Sequence, residues 1–449
     1  MRLLLTLLLT FTASAQPSIE GTWLGTLNAG PQKLRLSVTL TRNGMALAGT
    51  MNSLDQGSGE MPLRDVMFRD GKLTFALPAL GVTYEGTLSG DTITGTFTQG
   101  MAFPLTLTRG ESQPAAARRP QEPKKPYPYA EEDVVVANGD VRLAGTLTLP
   151  RSAPPFPAVV LITGSGAQDR DETVFGHKPF LVLADHLTRR GLAVLRVDDR
   201  GTGKSTGSLA SVTTEDLAAD TLAAVKFLRA RKDIAKIGLI GHSEGGVIAP
   251  MVANRSQDVA FLVLVAAPGL PGDQIIMRQT ESLGVAAGAS REIVAQGVAQ
   301  QRQILDLVMK TKDEAALRAK LQELLGKQMT AEMLDAQVRQ LASPWYRWML
   351  AYDPRPALRK VRVPLLAING AKDIQVAAKE NLAAIAAAAP HAKIVELPGL
   401  NHLLQTAATG AVSEYATIEE TVAPVALEMI AEWISRVTTS QSSAPARPD

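Results

Sequence analysis

The sequence predicts an α/β fold, a mostly parallel sheet with a helical lid, preceded by a small antiparallel all-β barrel or sandwich. Three observations carry this expectation. From about residue 129, apolar strand-like runs alternate with helix-length amphipathic stretches. Between Gly269 and Pro364 that alternation lapses, and the chain reads as helix after helix. Residues 17–110 instead carry short polar–apolar alternations broken by turn dipeptides.

At 449 residues the chain is long enough for two or three domains, each with a proper core. Hydrophobic residues make up 45% and charged ones 20%, ordinary for a globular protein. The 46 Lys and Arg nearly balance the 44 Asp and Glu, so no basic stripe argues for a nucleic-acid partner. No cysteine is present, which removes disulfides and thiolate metal sites, and no other pattern calls for a metal or an organic cofactor.

Residues 1–15 place one positive charge, an apolar run from Leu3 to Phe11, and Ala13-Ser14-Ala15 in the order of a secretory signal peptide. The run is too short to span a bilayer. The expected location is therefore secreted or periplasmic, with no integral membrane segment after cleavage.

Within residues 17–110, "KLRLSVTL" (33–40) alternates polar and apolar, the period of a strand with one buried face. Asn43-Gly44, Asp70-Gly71 and Ser89-Gly90 punctuate further short runs, giving roughly eight expected strands. Residues 111–128 are rich in Pro, Ala and charge and read as a semi-extended linker with solvated Arg and Lys pairs. Residues 129–437 form the expected α/β domain. Runs such as "FPAVVLITG", "GLAVLRVDD", "IAKIGLIGH" and "VPLLAING" are nearly continuous Val, Ile and Leu, which suits strands covered on both faces. The helical stretch of about 270–355 reads as a lid, and 438–449 as a disordered tail.

Two pentapeptides fit G-x-S-x-G: Gly241-His242-Ser243-Glu244-Gly245 and Gly203-Lys204-Ser205-Thr206-Gly207. A nucleophilic serine of this kind needs a tight turn straight from a strand into a helix. Ser243 has that context, between the strand "IGLI" and the helix start "GVIAPMVANR". Loop-like residues follow Ser205, so Ser243 is the candidate nucleophile. Gly203-Lys204-Ser205 ends like a phosphate-binding loop, but Asp198 stands where that motif needs its first glycine, which argues against nucleotide binding.

An activated serine needs an imidazole to take its proton and a carboxylate to fix the imidazole tautomer. Asp373 follows a strand and a Gly turn, and His402 follows the next strand and turn, in the order Ser, acid, His. Of the other histidines, His391 precedes its strand, His186 lies within a helix, His177 comes early in chain order, and His242 flanks the serine without facing it. The oxyanion that forms on attack needs two N–H donors. The backbone of Glu244 is one candidate and Ser165, in the loop after "AVVLITG", the other.

On these motifs, together with "LITGSGAQDRDE" and "PGLNHLLQ", the chain resembles the α/β-hydrolase superfamily over roughly residues 150–435. The resemblance is to its serine-aminopeptidase-like and carboxylesterase-like branch. It implies an eight-stranded, mostly parallel sheet and carries the roles of nucleophile, acid and base to Ser243, Asp373 and His402. The stretch Thr163-Gly164-Ser165-Gly166 departs from the usual His-Gly start of the oxyanion loop.

The expected activity is cleavage of a small carboxylic ester through an acyl-enzyme. An aminopeptidase or amidase acting on short peptides is the alternative, and a binding protein with a vestigial hydrolase fold a further one. An aminopeptidase would need an acidic residue for the substrate ammonium, for which Asp169, Asp171, Glu172 and Glu244 are candidates. In the lid, Trp345, Tyr346, Trp348 and Met349 cluster at helical spacing, a pattern expected first to be lid core.

Overall fold

The computed structural model describes residues 18–29, 32–44, 46–53, 61–99, 101–110, 118–325 and 331–439. The expected signal peptide and residues 440–449 of the expected tail lie outside them. Thr438 and Thr439 do not belong to a tail: they close the last helix, where both hydroxyls donate to carbonyls one turn back. The chain divides into two compact units, the second holding everything after residue 114 and two short earlier segments.

The first unit is one antiparallel sheet of nine described strands. They are β1 (Gly21–Ala29), β2 (Gln32–Asn43), β3 (Ala46–Ser53), β4 (Met61–Pro62), β5 (Arg64–Arg69), β6 (Lys72–Leu77), β7 (Val82–Ser89), β8 (Thr92–Gln99) and β9 (Met101–Gly110). Their order, β4-β3-β2-β1-β9-β8-β7-β6-β5, puts β4 and β5 at opposite ends. Only Leu63 separates those two strands in sequence, so the sheet must curl on itself, as a barrel does. Asp70-Gly71 and Ser89-Gly90 sit at hairpin tips, with φ of 52° at Asp70 and 60° at Gly90, values that suit tight hairpins. Inside lie Trp23, Leu73, Ile93, Leu105 and Leu107, all fully buried. The Trp23 indole N–H donates to the Ile19 carbonyl at 2.9 Å, and the Arg109 guanidinium stacks 4.3 Å from the ring centre.

The second unit contains an eight-stranded sheet: β10 (Ala130–Asn138), β11 (Val141–Leu149), β12 (Phe156–Ile162), β13 (Ala193–Val197), β14 (Ile234–His242), β15 (Val259–Val265), β16 (Leu365–Gly370) and β17 (Lys393–Leu397). The order is β10-β11-β13-β12-β14-β15-β16-β17. β10 and β11 form a hairpin, β11 runs antiparallel to β13, and every pair from β13 to β17 is parallel. This is the α/β-hydrolase arrangement.

Successive residues of β12 serve opposite faces. Ala158, Val160 and Ile162 meet α2 (Thr214–Arg229) and α3 (Gly245–Ala253), while Val159 and Leu161 meet α1 (Pro179–Thr188) and the C-terminal helix. Burial on both faces explains why these strands read as unbroken apolar runs. Between β15 and β16 lie α4 (Gly272–Ala286), α5 (Arg291–Lys310), α6 (Glu314–Leu325), α7 (Ala331–Ala342), α8 (Pro344–Ala351) and α9 (Arg355–Lys360). After β16 come α10 (Ala378–Ala388) and, at the end, α11 (Pro424–Thr439). Four of the lid helices share a small core of their own, including Val308, Leu317, Leu321 and Leu334.

The basic pairs read as solvated linker residues behave differently at one position. Arg119, within the second unit, is half-buried and donates to the carbonyls of Phe175, Gly176, Ala416 and Ile418. A run of Pro and charge hid a side chain that ties two loops together.

Removing the largest buried side chain of the first unit should unfold it selectively. Trp23→Ala is expected to destabilise that unit by about 3–5 kcal/mol, read by urea denaturation with circular dichroism. A loss under about 1 kcal/mol would show that Trp23 is not central to its core.

Candidate active site

Ser243 occupies the turn between β14 and α3 with φ 51°, a left-handed conformation uncommon for a residue with a side chain. Its N–H donates to the Val265 carbonyl at 2.9 Å, pinning the turn to the neighbouring strand. The flanking glycines are required by close backbone approach. A Cβ on Gly241 would lie 2.1 Å from the Gly245 carbonyl oxygen, and one on Gly245 would lie 2.2 Å from that of Ile162. The other pentapeptide has no such turn. The Ser205 hydroxyl donates to the Asp198 carbonyl at 2.8 Å and accepts from the Ala144 N–H at 2.8 Å. It is a loop fastener, alongside Asp198, which accepts from the Lys204 N–H and pairs with Arg170.

Asp373 and His402 come together from the ends of β16 and β17. The His402 Nδ1–H donates to Asp373 Oδ2 at 2.7 Å, both side chains being buried. The other Asp373 oxygen accepts from the N–H groups of Gln375 and Val376 at 2.8 Å each, which holds the carboxylate rigidly. With its proton fixed on Nδ1, the imidazole keeps a lone pair on Nε2. His402 and Ser243 line the same cavity.

Ser165 and Glu244 also line it. Among the described residues, neither backbone N–H donates to a protein acceptor, whereas the Gly164 N–H between β12 and Ser165 is spent on Glu172. Glu244 begins α3, where the helix end favours negative charge.

The cavity encloses about 350 Å³, and no Lys or Arg lines it. Trp345, Trp348 and Met349 line it, while Trp345 and Met349 also pack against the lid core in which Tyr346 is buried, so the cluster expected as lid core serves both the lid and the cavity. The physical reason is that α8 packs with one face on the lid and the other over the sheet edge. The Trp345 indole N–H donates to Glu244 Oε1 at 2.8 Å, and the Thr214 hydroxyl reaches the same oxygen at 2.6 Å.

Two histidines set aside as triad members are both buried and bonded. His242 does not merely flank the serine: it is buried, its Nδ1 is 2.8 Å from Glu172 Oε1, and its Nε2 is 3.2 Å from the His402 carbonyl oxygen. Burial works against charge on this imidazole, but the adjacent Glu172 carboxylate overrides it and raises its pKa. Its position inside the pentapeptide was the available signal. Nothing in the sequence pointed to its partner, 70 residues away. His177, expected near the site in a polar loop, is fully buried and bonded to the Tyr415 carbonyl, and burial lowers its pKa to about 4.

Residues 178–406 match the family described as serine aminopeptidase, S33. Over 284 residues the chain is 28% identical to Esterase EstD of Thermotoga maritima, spanning 62% of this chain and 61% of that protein. Over 262 residues it is 30% identical to the dihydrolipoyllysine-residue acetyltransferase component of an acetoin cleaving system from Pseudomonas putida, spanning 57% and 61%. The chain thus matches about three fifths of the length of these curated relatives. Among solved structures, an esterase of Pyrococcus furiosus shares 16% identity at a TM-score of 0.42, over 70% of this chain and 91% of that one.

Asp199 ties down the loop that carries Ser165, accepting from the Thr163 hydroxyl at 2.8 Å and the Gln168 N–H at 3.0 Å. Burial, helped by the charges of Glu172 and Glu244, raises its pKa to about 7. A carboxyl whose folded pKa lies above its unfolded value binds its proton more tightly in the native state. Its contribution to stability is therefore complete below the unfolded pKa and lost as pH rises through about 7. The stability difference between wild type and Asp199→Asn, measured by urea denaturation, should shrink from acid to mildly alkaline pH. A difference that stays constant across this range would contradict the assignment.

Proposed function

The chain belongs to the S33 serine aminopeptidase family, and from that premise we propose that it hydrolyses carboxylic esters with apolar acyl groups through Ser243, His402 and Asp373. The observation that carries this reading is the bonded His402–Asp373 pair sharing one apolar cavity with a serine held on a strand–helix turn. In the proposed reaction the Ser243 hydroxyl attacks the ester carbonyl while His402 Nε2 takes its proton. Asp373 holds the tautomer and stabilises the imidazolium. The negative oxygen that forms is met by the N–H groups of Glu244 and Ser165, which have no competing protein acceptor among the described residues. Collapse of the tetrahedral intermediate expels the alkoxide, which leaves as the alcohol with the proton from His402. Water, deprotonated by His402, then releases the acid from the acyl-enzyme. These steps use no metal and no organic cofactor.

Ester rather than aminopeptide cleavage is favoured by how the nearby acids are engaged. Glu172 and Glu244 each give one oxygen to protein donors and have the other sealed away from solvent. Asp169 accepts from Asp171, Thr173 and the Thr173 hydroxyl, and Asp171 pairs with Arg196. The Oε2 atoms of Glu172 and Glu244 have no protein partner but are shielded from solvent, and Asp169 and Asp171 do not line the cavity, so none of the four presents an open oxygen to a substrate ammonium. The signal-like order of residues 1–15 supports action outside the cytoplasm, on a small molecule.

Ser243→Ala is expected to lower kcat on a p-nitrophenyl ester by more than about 10⁴-fold with an unchanged melting temperature. Activity within about tenfold of wild type would remove Ser243 from the mechanism. A series of acyl chain lengths should show kcat/KM rising from acetyl to medium chains, and aminoacyl anilides should turn over far more slowly. Faster turnover of the anilides would favour the aminopeptidase reading instead.

A further inference from the structure

We infer that Glu172 is a positioning residue that aligns the oxyanion loop and the backbone of the general base at the same time; this rests on the ester hydrolase reading above. Glu172 sits in the loop between β12 and α1, 2% exposed and at φ 52°. A single oxygen, Oε1, accepts from the Gly164 N–H at 2.7 Å and from His242 Nδ1–H at 2.8 Å. The first bond fixes the Thr163–Gly164 peptide, one peptide before the N–H of Ser165, the proposed oxyanion donor. The second leads to the base, because the far side of the His242 ring meets the His402 carbonyl oxygen at 3.2 Å.

The donors and acceptors in this chain of bonds fix its protonation. With Glu172 ionised, its carboxylate and the His402 carbonyl both only accept, so both nitrogens of His242 carry protons. The ring is then an imidazolium, neutralised by Glu172 with both side chains largely buried. An ion pair in such a place is expensive to strip of solvent, and Glu172 Oε2 has no partner among the described residues. The charge is therefore retained for the two bonds at Oε1. Gly164 leaves little slack between them: a Cβ there would lie 3.3 Å from both Glu172 Oε1 and the Ser243 Cβ. Asp373 orients the His402 ring, and the Glu172–His242 pair holds the backbone from which that ring projects.

The test uses the full chain and counts competent sites by fluorophosphonate titration. For Glu172→Ala, kcat per titrated site on a p-nitrophenyl ester should fall about 100-fold. KM should move less than about threefold, because ground-state binding is spared. The inhibition constant of a trifluoromethyl ketone, whose adduct places an oxyanion in the site, should rise in step with the lost kcat. Glu172→Gln keeps one carbonyl oxygen for both N–H donors and should recover to within about tenfold of wild type. A purely structural role would reduce the number of titrated sites while leaving kcat per site and the ketone constant unchanged, and would overturn the inference. Should Glu172→Ala fail to fold, the wild type decides through its ¹⁵N-histidine spectrum at neutral pH. Protons on both ring nitrogens of His242 are expected, and an Nε2 without a proton, which cannot donate to the His402 carbonyl, breaks the chain of bonds and refutes the role. Wild type that takes no fluorophosphonate would instead remove the hydrolase reading itself.

Discussion

Backbone contact at one turn governs the second unit. Where β14 ends, the chain reverses into α3 so tightly that Gly241, Gly245 and the preceding strand β12 leave no room for a Cβ. Ser243 is left as the residue that carries a side chain at the apex, in a left-handed conformation. Strain at such a place persists only where the surroundings over-determine it. Here the hydrogen bond to Val265 and the packed helix α3 supply that constraint, and the apex is presented at the carboxyl edge of the sheet, where open α/β folds gather ligands.

Around that apex, carboxylates do the work of scaffolding. Asp198 gathers Arg170 and Lys204, Asp199 gathers Thr163 and Gln168, and Glu244 joins Thr214 of α2 to Trp345 of the lid. Each ties a loop that would otherwise be held only by its two ends. Glu172 and Glu244 each meet protein donors with one oxygen, and Trp345, Trp348 and Met349 of the lid line the cavity.

Much of this was legible in the sequence because it is written in local pattern. Unbroken Val, Ile and Leu runs announce strands buried on both faces, and G-x-S-x-G between such a run and a helix marks the elbow. Position just past a strand end picked out Asp373 and His402, which the structure bonds to each other. What stayed hidden depends on contacts between distant residues. The His242–Glu172 pair joins positions 70 apart, and Arg119 reaches loops about 300 residues away. Trp345 and Trp348 could not be assigned to lid core or cavity from helical spacing, because both faces of α8 are apolar. In the first unit, turn dipeptides located the hairpins, but curling of the sheet followed only from the pairing order, in which sequence neighbours β4 and β5 sit at opposite ends.

Mass mapping of the covalent fluorophosphonate adduct tests the central claim most directly. One phosphonyl group per chain, confined to the peptide that contains Ser243, is the expected result. An adduct on Ser205 or on another residue, or none on folded protein, would contradict it.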